Sequence, residues 1–113
     1  MPAETENTYR GQSVVIVGAA RSGVAAARFL LERGAHVVLT DAKTEEMLPI
    51  PLASLRSLGQ TAGGLVLELG GHRVESFRTC DFVVISPGVP LALPLFEECR
   101  KMGIPILAEV ELA

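Results

Sequence analysis

Residues 14–23, VVIVGAARSG, decide the fold of this chain. The β-branched run over 14–17 is typical of a strand that is buried on both faces, and it breaks at Gly18. Gly18 can adopt the positive φ of a tight turn, Ser22 can cap the helix that follows, and Gly23 lets that helix pack close to the strand. Because the first turn of such a helix presents free N–H groups and a positive dipole end, the stretch predicts a phosphate-binding turn.

An acidic residue ends the second predicted strand. That strand is HVVLTD over residues 36–41, and Asp41 lies 18 residues after Gly23. A carboxylate at this place can accept hydrogen bonds from a nucleotide. Because residues 37–39 already supply the buried contacts, we expect the Asp41 side chain to project into a cleft and to bind a ligand rather than to serve the fold. The alternative is that Asp41 only caps the next turn.

Further strands and helices follow along the chain. Strands are predicted at residues 65–69, 81–85 and 104–107, and helical segments at 23–33, near 52–58, between 71 and 80, and from Pro94 to about 101. Five strands that alternate with helices predict one α/β domain over residues 13–113, a Rossmann-like, doubly wound parallel sheet, preceded by a flexible lead-in over residues 1–12. Ligands bind such sheets beyond the carboxyl ends of the strands, where three loops converge. The candidate binding residues are Gly18, Arg21, Ser22, Gly23, Asp41, Ala42, Lys43, Ser86, Pro87 and Gly88.

Composition narrows the classes of partner. The 113 residues are 49% hydrophobic and carry a net charge of −3, so they offer no basic stripe for nucleic acid. The longest apolar run, residues 82–96, is interrupted by three prolines and is too short to span a membrane. The amino terminus lacks the apolar core of a signal peptide, so we expect a cytoplasmic protein in which Cys80 and Cys99 are free thiols.

No catalytic or metal-binding motif is visible. The two histidines and two cysteines do not have the spacing of metal ligands, and no G-x-x-x-x-G-K-[ST] loop is present. The middle glycine of G-x-G-x-x-G is replaced by Ala20, whose methyl group disfavours a close dinucleotide pose. Two interpretations without a ligand stay open: Arg21 is a solvated loop charge, and residues 86–88 form only a tight turn.

Four motifs occur together in order: VIVGAARSGVAAARFLLERG over residues 15–34, TD at 40–41, VISPGVP at 84–90 and GIPILAEVEL at 103–112. This combination resembles the amino-terminal domain of the Mur ligases, most closely of the members that add D-glutamate in peptidoglycan synthesis. The resemblance covers nearly the whole chain. The chain ends at Ala113, where the family's ATPase domain would begin, so the resemblance implies an isolated substrate-binding fragment that is inactive alone.

The resemblance also implies roles for the candidate residues. In this family the first domain holds the uridine diphosphate end of UDP-N-acetylmuramoyl-L-alanine, the second binds ATP and magnesium, and the third helps to bind the amino acid. Arg21 and Ser22 would then lie by the diphosphate, residues 41–43 would contact the uracil and ribose, and residues 86–88 would line the same cleft. ATP and magnesium would belong to the missing domains, and this fragment would hold no cofactor.

Two other functions compete. An NAD-binding domain of a dehydrogenase would use the same glycine turn, with Asp41 on the adenosine ribose; Ala20 and the Ser86–Gly88 loop weigh against it. A signalling receiver or interaction domain of similar topology fits less well, because no acidic cluster follows the first strand.

Overall fold

The structure, a computed structural model, describes residues 9–61, 64–90 and 93–108. Within these ranges five strands form one parallel sheet in the order β3-β2-β1-β4-β5. The strands are β1 (Ser13–Val17), β2 (His36–Asp41), β3 (Gly64–Leu69), β4 (Phe82–Ile85) and β5 (Ile106–Ala108). The helices are α1 (Arg21–Glu32), α2 (Ala53–Thr61), α3 (Val74–Arg78) and α4 (Pro94–Lys101), and a short 3-10 helix spans Glu45–Met47. The α/β doubly wound parallel sheet expected from the sequence is confirmed.

The central strand β1 is buried on both faces, as its β-branched run predicted. Val14, Val15, Ile16 and Val17 are at most 1% exposed. One face of the sheet packs against Ala27 and Leu30 of α1 and Leu55 of α2. The other face packs against Phe77 of α3 and Phe96 of α4. Helices on both faces are what a parallel sheet requires.

The strand order places the chain reversal beside β1. The chain runs from β1 outward to β2 and β3, and it then crosses to β4 on the other side of β1. Val17 pairs in register with both Thr40 and Ile85, which are the last buried residues of the neighbouring strands. Gly18, Asp41 and the loop at residues 86–88 therefore emerge level with one another at the carboxyl edge, where such sheets bind ligands.

The lead-in expected over residues 1–12 differs from the structure in its last part. Residues 1–8 lie outside the described ranges, but residues 9–12 form a packed turn. The Gly11 N–H donates to the Gly34 carbonyl at 3.1 Å, and the Tyr9 ring lies 5.9 Å from that of Phe29 and 6.1 Å from that of Phe82, centroid to centroid. Aromatic burial thus anchors the chain before β1 begins.

Two other expectations concern helices and thiols. None of the helices in the described ranges has the length and apolarity needed to span a bilayer. Cys80 and Cys99 are both free thiols, as predicted. Burial raises the pKa of the Cys80 thiol to about 11.

Candidate functional site

The turn after β1 requires glycine at its first position. Gly18 has φ of 105°, and its N–H donates to the Thr40 carbonyl at 2.8 Å. A Cβ placed on Gly18 would stand 2.9 Å from the Ser86 Cβ. Both the backbone conformation and the close approach of the loop after β4 exclude a larger residue, so the positive-φ turn predicted at Gly18 is confirmed.

The amino terminus of α1 is pressed against this turn. A Cβ on Gly23 would lie 1.7 Å from the Gly18 carbonyl oxygen, so the close packing expected of Gly23 is confirmed. The prediction that Ser22 caps the helix is wrong. The Val24 N–H donates to the Ala20 carbonyl at 2.9 Å, which makes Ala20 the N-cap and Ser22 the second helical residue.

This helix terminus remains open to an anion. Among the described residues no side chain caps it, and no acidic residue lies in its first turn. Ala20 is exposed and has ordinary extended angles (φ −86°, ψ −166°), so the backbone there needs no glycine. The first N–H groups of α1 and its positive dipole end consequently lie at the carboxyl edge of the sheet without a side-chain cap.

Asp41 joins two loops of the site. One carboxylate oxygen accepts the Ala19 N–H at 2.7 Å, and the other accepts the Lys43 N–H at 2.8 Å. The expectation that Asp41 does not serve the fold is therefore wrong, because its side chain fixes both the turn after β1 and the loop after β2. The side chain is half-buried and stays outside the core, so ligand binding by Asp41 stays a prediction.

The loop after β4 is attached to the same turn. The Ser86 side chain is buried, and its hydroxyl donates to the Gly18 carbonyl at 3.0 Å. Pro87 and Gly88 are exposed, and among the described residues, chain neighbours apart, no atom lies within 4 Å of where a Gly88 Cβ would stand. The loop thus has one anchored residue followed by two that border open space.

The remaining predicted residues, Arg21, Ala42 and Lys43, are exposed. The Arg21 guanidinium has no hydrogen-bond or ion-pair partner within the described ranges. Arg21 lines an open groove of about 400 Å³ along the flank of α1. Beyond Lys43 the chain is tied to α2 by two hydrogen bonds from Arg56 to Glu45, which lower the pKa of the Glu45 carboxyl.

A fourth loop, residues 70–73 after β3, is bonded to the loop after β2 and was missed in the sequence. The Gly70 N–H donates to the Lys43 carbonyl at 2.8 Å, and the Gly71 N–H donates to the Asp41 carbonyl at 3.1 Å. The His72 Nδ1 lies 2.8 Å from the Thr40 hydroxyl. The pair Gly70-Gly71 directly after a predicted strand was the available signal, because all parallel strands end at the same edge.

A separate groove of about 350 Å³ lies on the sheet face that carries α3. Its lining includes Val15, Val38 and Val66 and none of the ten predicted residues. Among the described residues no three His, Cys, Asp or Glu side chains lie close enough to hold a metal ion. The joined loops, rather than a deep cavity, are the feature that distinguishes the carboxyl edge.

The sequence of residues 12–108 matches the family described as Mur ligase MurD-like, N-terminal domain. The chain belongs to this family. A UDP-N-acetylmuramoylalanine–D-glutamate ligase from Desulfosudis oleivorans is 46% identical to this MurD-like domain, over 99% of the domain and 22% of the relative. Ligases of the same name from Acidobacterium capsulatum and Anaeromyxobacter dehalogenans are 43% and 44% identical, each over 92% of the domain. The chain thus spans about a fifth of the length of these curated relatives.

Solved structures of other families share the fold of this MurD-like domain. The eIF2B beta structure from Chaetomium thermophilum superposes with a TM-score of 0.61 at 12% identity, covering 94% of the domain and 40% of that chain. The C-terminal domain of a hydrogenase from Pyrococcus furiosus gives 0.57 at 17% identity, covering 88% and 91%. At these identities the likeness concerns the fold alone.

Proposed function

We propose that this domain binds the uridine diphosphate part of UDP-N-acetylmuramoyl-L-alanine, as the first domain of a cytoplasmic ligase that adds D-glutamate in peptidoglycan synthesis. The observation that carries the proposal is the joining of Gly18, Asp41 and Ser86 at one sheet edge, in a chain that matches the family over residues 12–108. A prearranged edge of this kind binds a ligand without first having to order its loops.

The diphosphate is assigned to the turn after β1. The uncapped terminus of α1 offers backbone N–H groups from Arg21, Ser22 and Gly23 to phosphate oxygens. The Arg21 guanidinium, which has no partner among the described residues, is free to rotate toward the added negative charge. Gly88, with open space in place of a side chain, lets the ligand approach the opposite loop closely.

The uracil and ribose are assigned to residues 41–43. Each Asp41 oxygen already accepts one backbone N–H, but a carboxylate has about four acceptor positions, so further donors from a base or a ribose hydroxyl can be bound. Ala42 and Lys43 are exposed beside it and offer backbone groups to the base edge. The same carboxylate then holds the loop and contacts the nucleoside.

Phosphate transfer is assigned to the part of the parent ligase that lies outside this domain. In the proposed parent reaction ATP phosphorylates the substrate carboxylate, and the amine of D-glutamate then displaces phosphate to form the amide. The described residues contain no group of three His, Cys, Asp or Glu side chains that could hold a metal ion. We expect the 113-residue chain to bind substrate and not to hydrolyse ATP.

Titration calorimetry of the 113-residue chain with UDP-N-acetylmuramoyl-L-alanine, UDP, ADP and NAD tests the proposal. We expect the uridine ligands to bind with Kd between about 1 µM and 1 mM, or about −8 to −4 kcal/mol, because other domains would supply further contacts. The family match disfavours the dehydrogenase alternative, and the exposed Ala20 methyl weighs against a dinucleotide. Tighter binding of NAD than of UDP would refute the proposal.

A further inference from the structure

Two polar side chains are buried within the described ranges, Thr40 and Ser86, and both stand at the carboxyl edge of the sheet. Thr40 is fully buried, its hydroxyl lies 2.8 Å from His72 Nδ1, and the Gly71 carbonyl is 3.4 Å away. Buried hydroxyl groups persist where they are hydrogen-bonded. The position of His72 is therefore coupled to the packing of β2.

The loop that carries His72 is bonded to the loop assigned to the nucleoside. The bonds from the Gly70 and Gly71 N–H groups end on the carbonyls of Lys43 and Asp41. Gly71 has φ of 147°, and apart from its chain neighbours no atom of the described residues lies within 4 Å of where its Cβ would stand. The loop consequently presents bare backbone beside residues 41–43, which a flat ring can approach.

We propose that residues 70–73 form a fourth wall of the nucleotide site, next to the nucleoside, and that His72 is the positioning residue that holds this wall against residues 41–43. The inference rests on the proposed function, since it names the part of the ligand that the wall meets. Either tautomer of His72 serves: the Thr40 hydroxyl donates to a bare Nδ1, or it accepts from Nδ1–H and donates to the Gly71 carbonyl.

Substitution of His72 by asparagine or glutamine distinguishes the roles of its two ring nitrogens. An asparagine amide reaches as far as Nδ1, whereas a glutamine amide reaches as far as Nε2 and passes Thr40. His72→Asn should therefore keep the bond to Thr40, and His72→Gln, His72→Ala and Thr40→Val should lose it. Ser76→Ala is the matched control, because the Ser76 hydroxyl, four residues after His72, donates to the Glu68 carboxylate at 2.6 and 2.8 Å and not to residues 41–43.

The test uses the 113-residue chain and two measurements. Amide hydrogen exchange of Gly70 and Gly71, followed by NMR without ligand, reports whether the wall is held. Calorimetry with UDP reports whether the wall matters for binding. We expect His72→Gln, His72→Ala and Thr40→Val to speed exchange about tenfold and to weaken UDP binding about three- to tenfold, as for the loss of one hydrogen bond. His72→Asn and Ser76→Ala should stay within about twofold of wild type on both measurements.

The outcomes separate this inference from the proposed function. Unchanged exchange in His72→Ala, or an equal loss of affinity in Ser76→Ala, overturns the positioning role. Faster exchange with unchanged UDP affinity refutes the proposal that residues 70–73 form part of the nucleotide site, and it does not affect the proposed function. If the wild-type chain fails to bind UDP, the proposed function fails before any variant is compared, and the wall falls with it.

Discussion

Replacing Asp41 by alanine should lower both the stability and the affinity of the domain. The change removes two hydrogen bonds from backbone N–H groups to a carboxylate, at 2.7 and 2.8 Å. Bonds to charged groups contribute about 1.5–3 kcal/mol each when buried. Asp41 is half-buried and water can reach the freed N–H groups, so we expect a combined loss of about 2–3 kcal/mol rather than the full sum.

Urea unfolding, followed by circular dichroism, measures the loss of stability. With a slope of about 1.5 kcal/mol per M, a loss of 2–3 kcal/mol lowers the midpoint by about 1.3–2 M. Calorimetry with UDP on the same preparation should show a loss of affinity of about tenfold to a hundredfold, because a charge-assisted contact disappears. Asp41→Asn is the control. It keeps one acceptor oxygen, so its loss of stability should be about half of the loss in Asp41→Ala.

Each result tests a different part of the reasoning. A midpoint unchanged within about 0.3 M in Asp41→Ala would refute the structural role of the carboxylate, whatever happens to binding. A lower midpoint with unchanged UDP affinity would show that Asp41 only holds the turn, which was the alternative raised from the sequence. Loss of both, with partial retention in Asp41→Asn, is the result that the geometry predicts.

Gly23→Ala should destabilise the domain by more than about 3 kcal/mol, because its methyl would collide with the Gly18 carbonyl at 1.7 Å; a smaller shift in the urea midpoint than for Asp41→Ala would contradict this. Ser22→Ala should change stability by less than about 0.5 kcal/mol, since Ser22 caps nothing, and a loss near 1 kcal/mol would restore the capping role. Ser86→Ala should lose about 1–2 kcal/mol with the bond to Gly18, and an unchanged thermal midpoint would count against that bond. At pH 8 iodoacetamide should alkylate Cys80 about a hundredfold more slowly than an exposed cysteine, because burial raises the pKa of its thiol from 9.0 to about 11; equal rates by mass spectrometry would oppose this.

Much of the fold could be predicted because its signals are local. The β-branched runs at residues 14–17 and 82–85 mark strands that are buried on both faces, and the structure places them side by side at the centre of the sheet. Pro105 is compatible with a strand only at a sheet edge or at the start of the strand, and β5 lies at the edge and begins directly after Pro105. Gly18 and Gly23 were recognised because a tight strand-to-helix turn needs small residues at these two places.

The bonds within the site could not be predicted, since they join residues far apart in the chain. The Asp41 carboxylate meets an N–H 22 residues away, and the Ser86 hydroxyl meets a carbonyl 68 residues away. Such contacts depend on the relative register of neighbouring strands, which local patterns do not specify. Ser22 was misassigned for a related reason: serine is a frequent N-cap, but the turn after Gly18 is tight enough that the helix begins one residue before Ser22.

Several candidate site residues of this domain stabilise the fold through their side chains. Asp41 and Ser86 each join two loops, and His72 joins the fourth loop to β2. A side chain that holds a loop and also borders the ligand cannot be changed without altering stability and affinity together. Exposed Arg21, which has no partner within the described ranges, is the informative exception. Arg21→Ala should weaken UDP binding and leave the urea midpoint within about 0.3 M of wild type, as for other surface positions. If Arg21→Ala leaves UDP affinity unchanged, the residue is only a solvated charge and the diphosphate depends on the backbone of α1 alone.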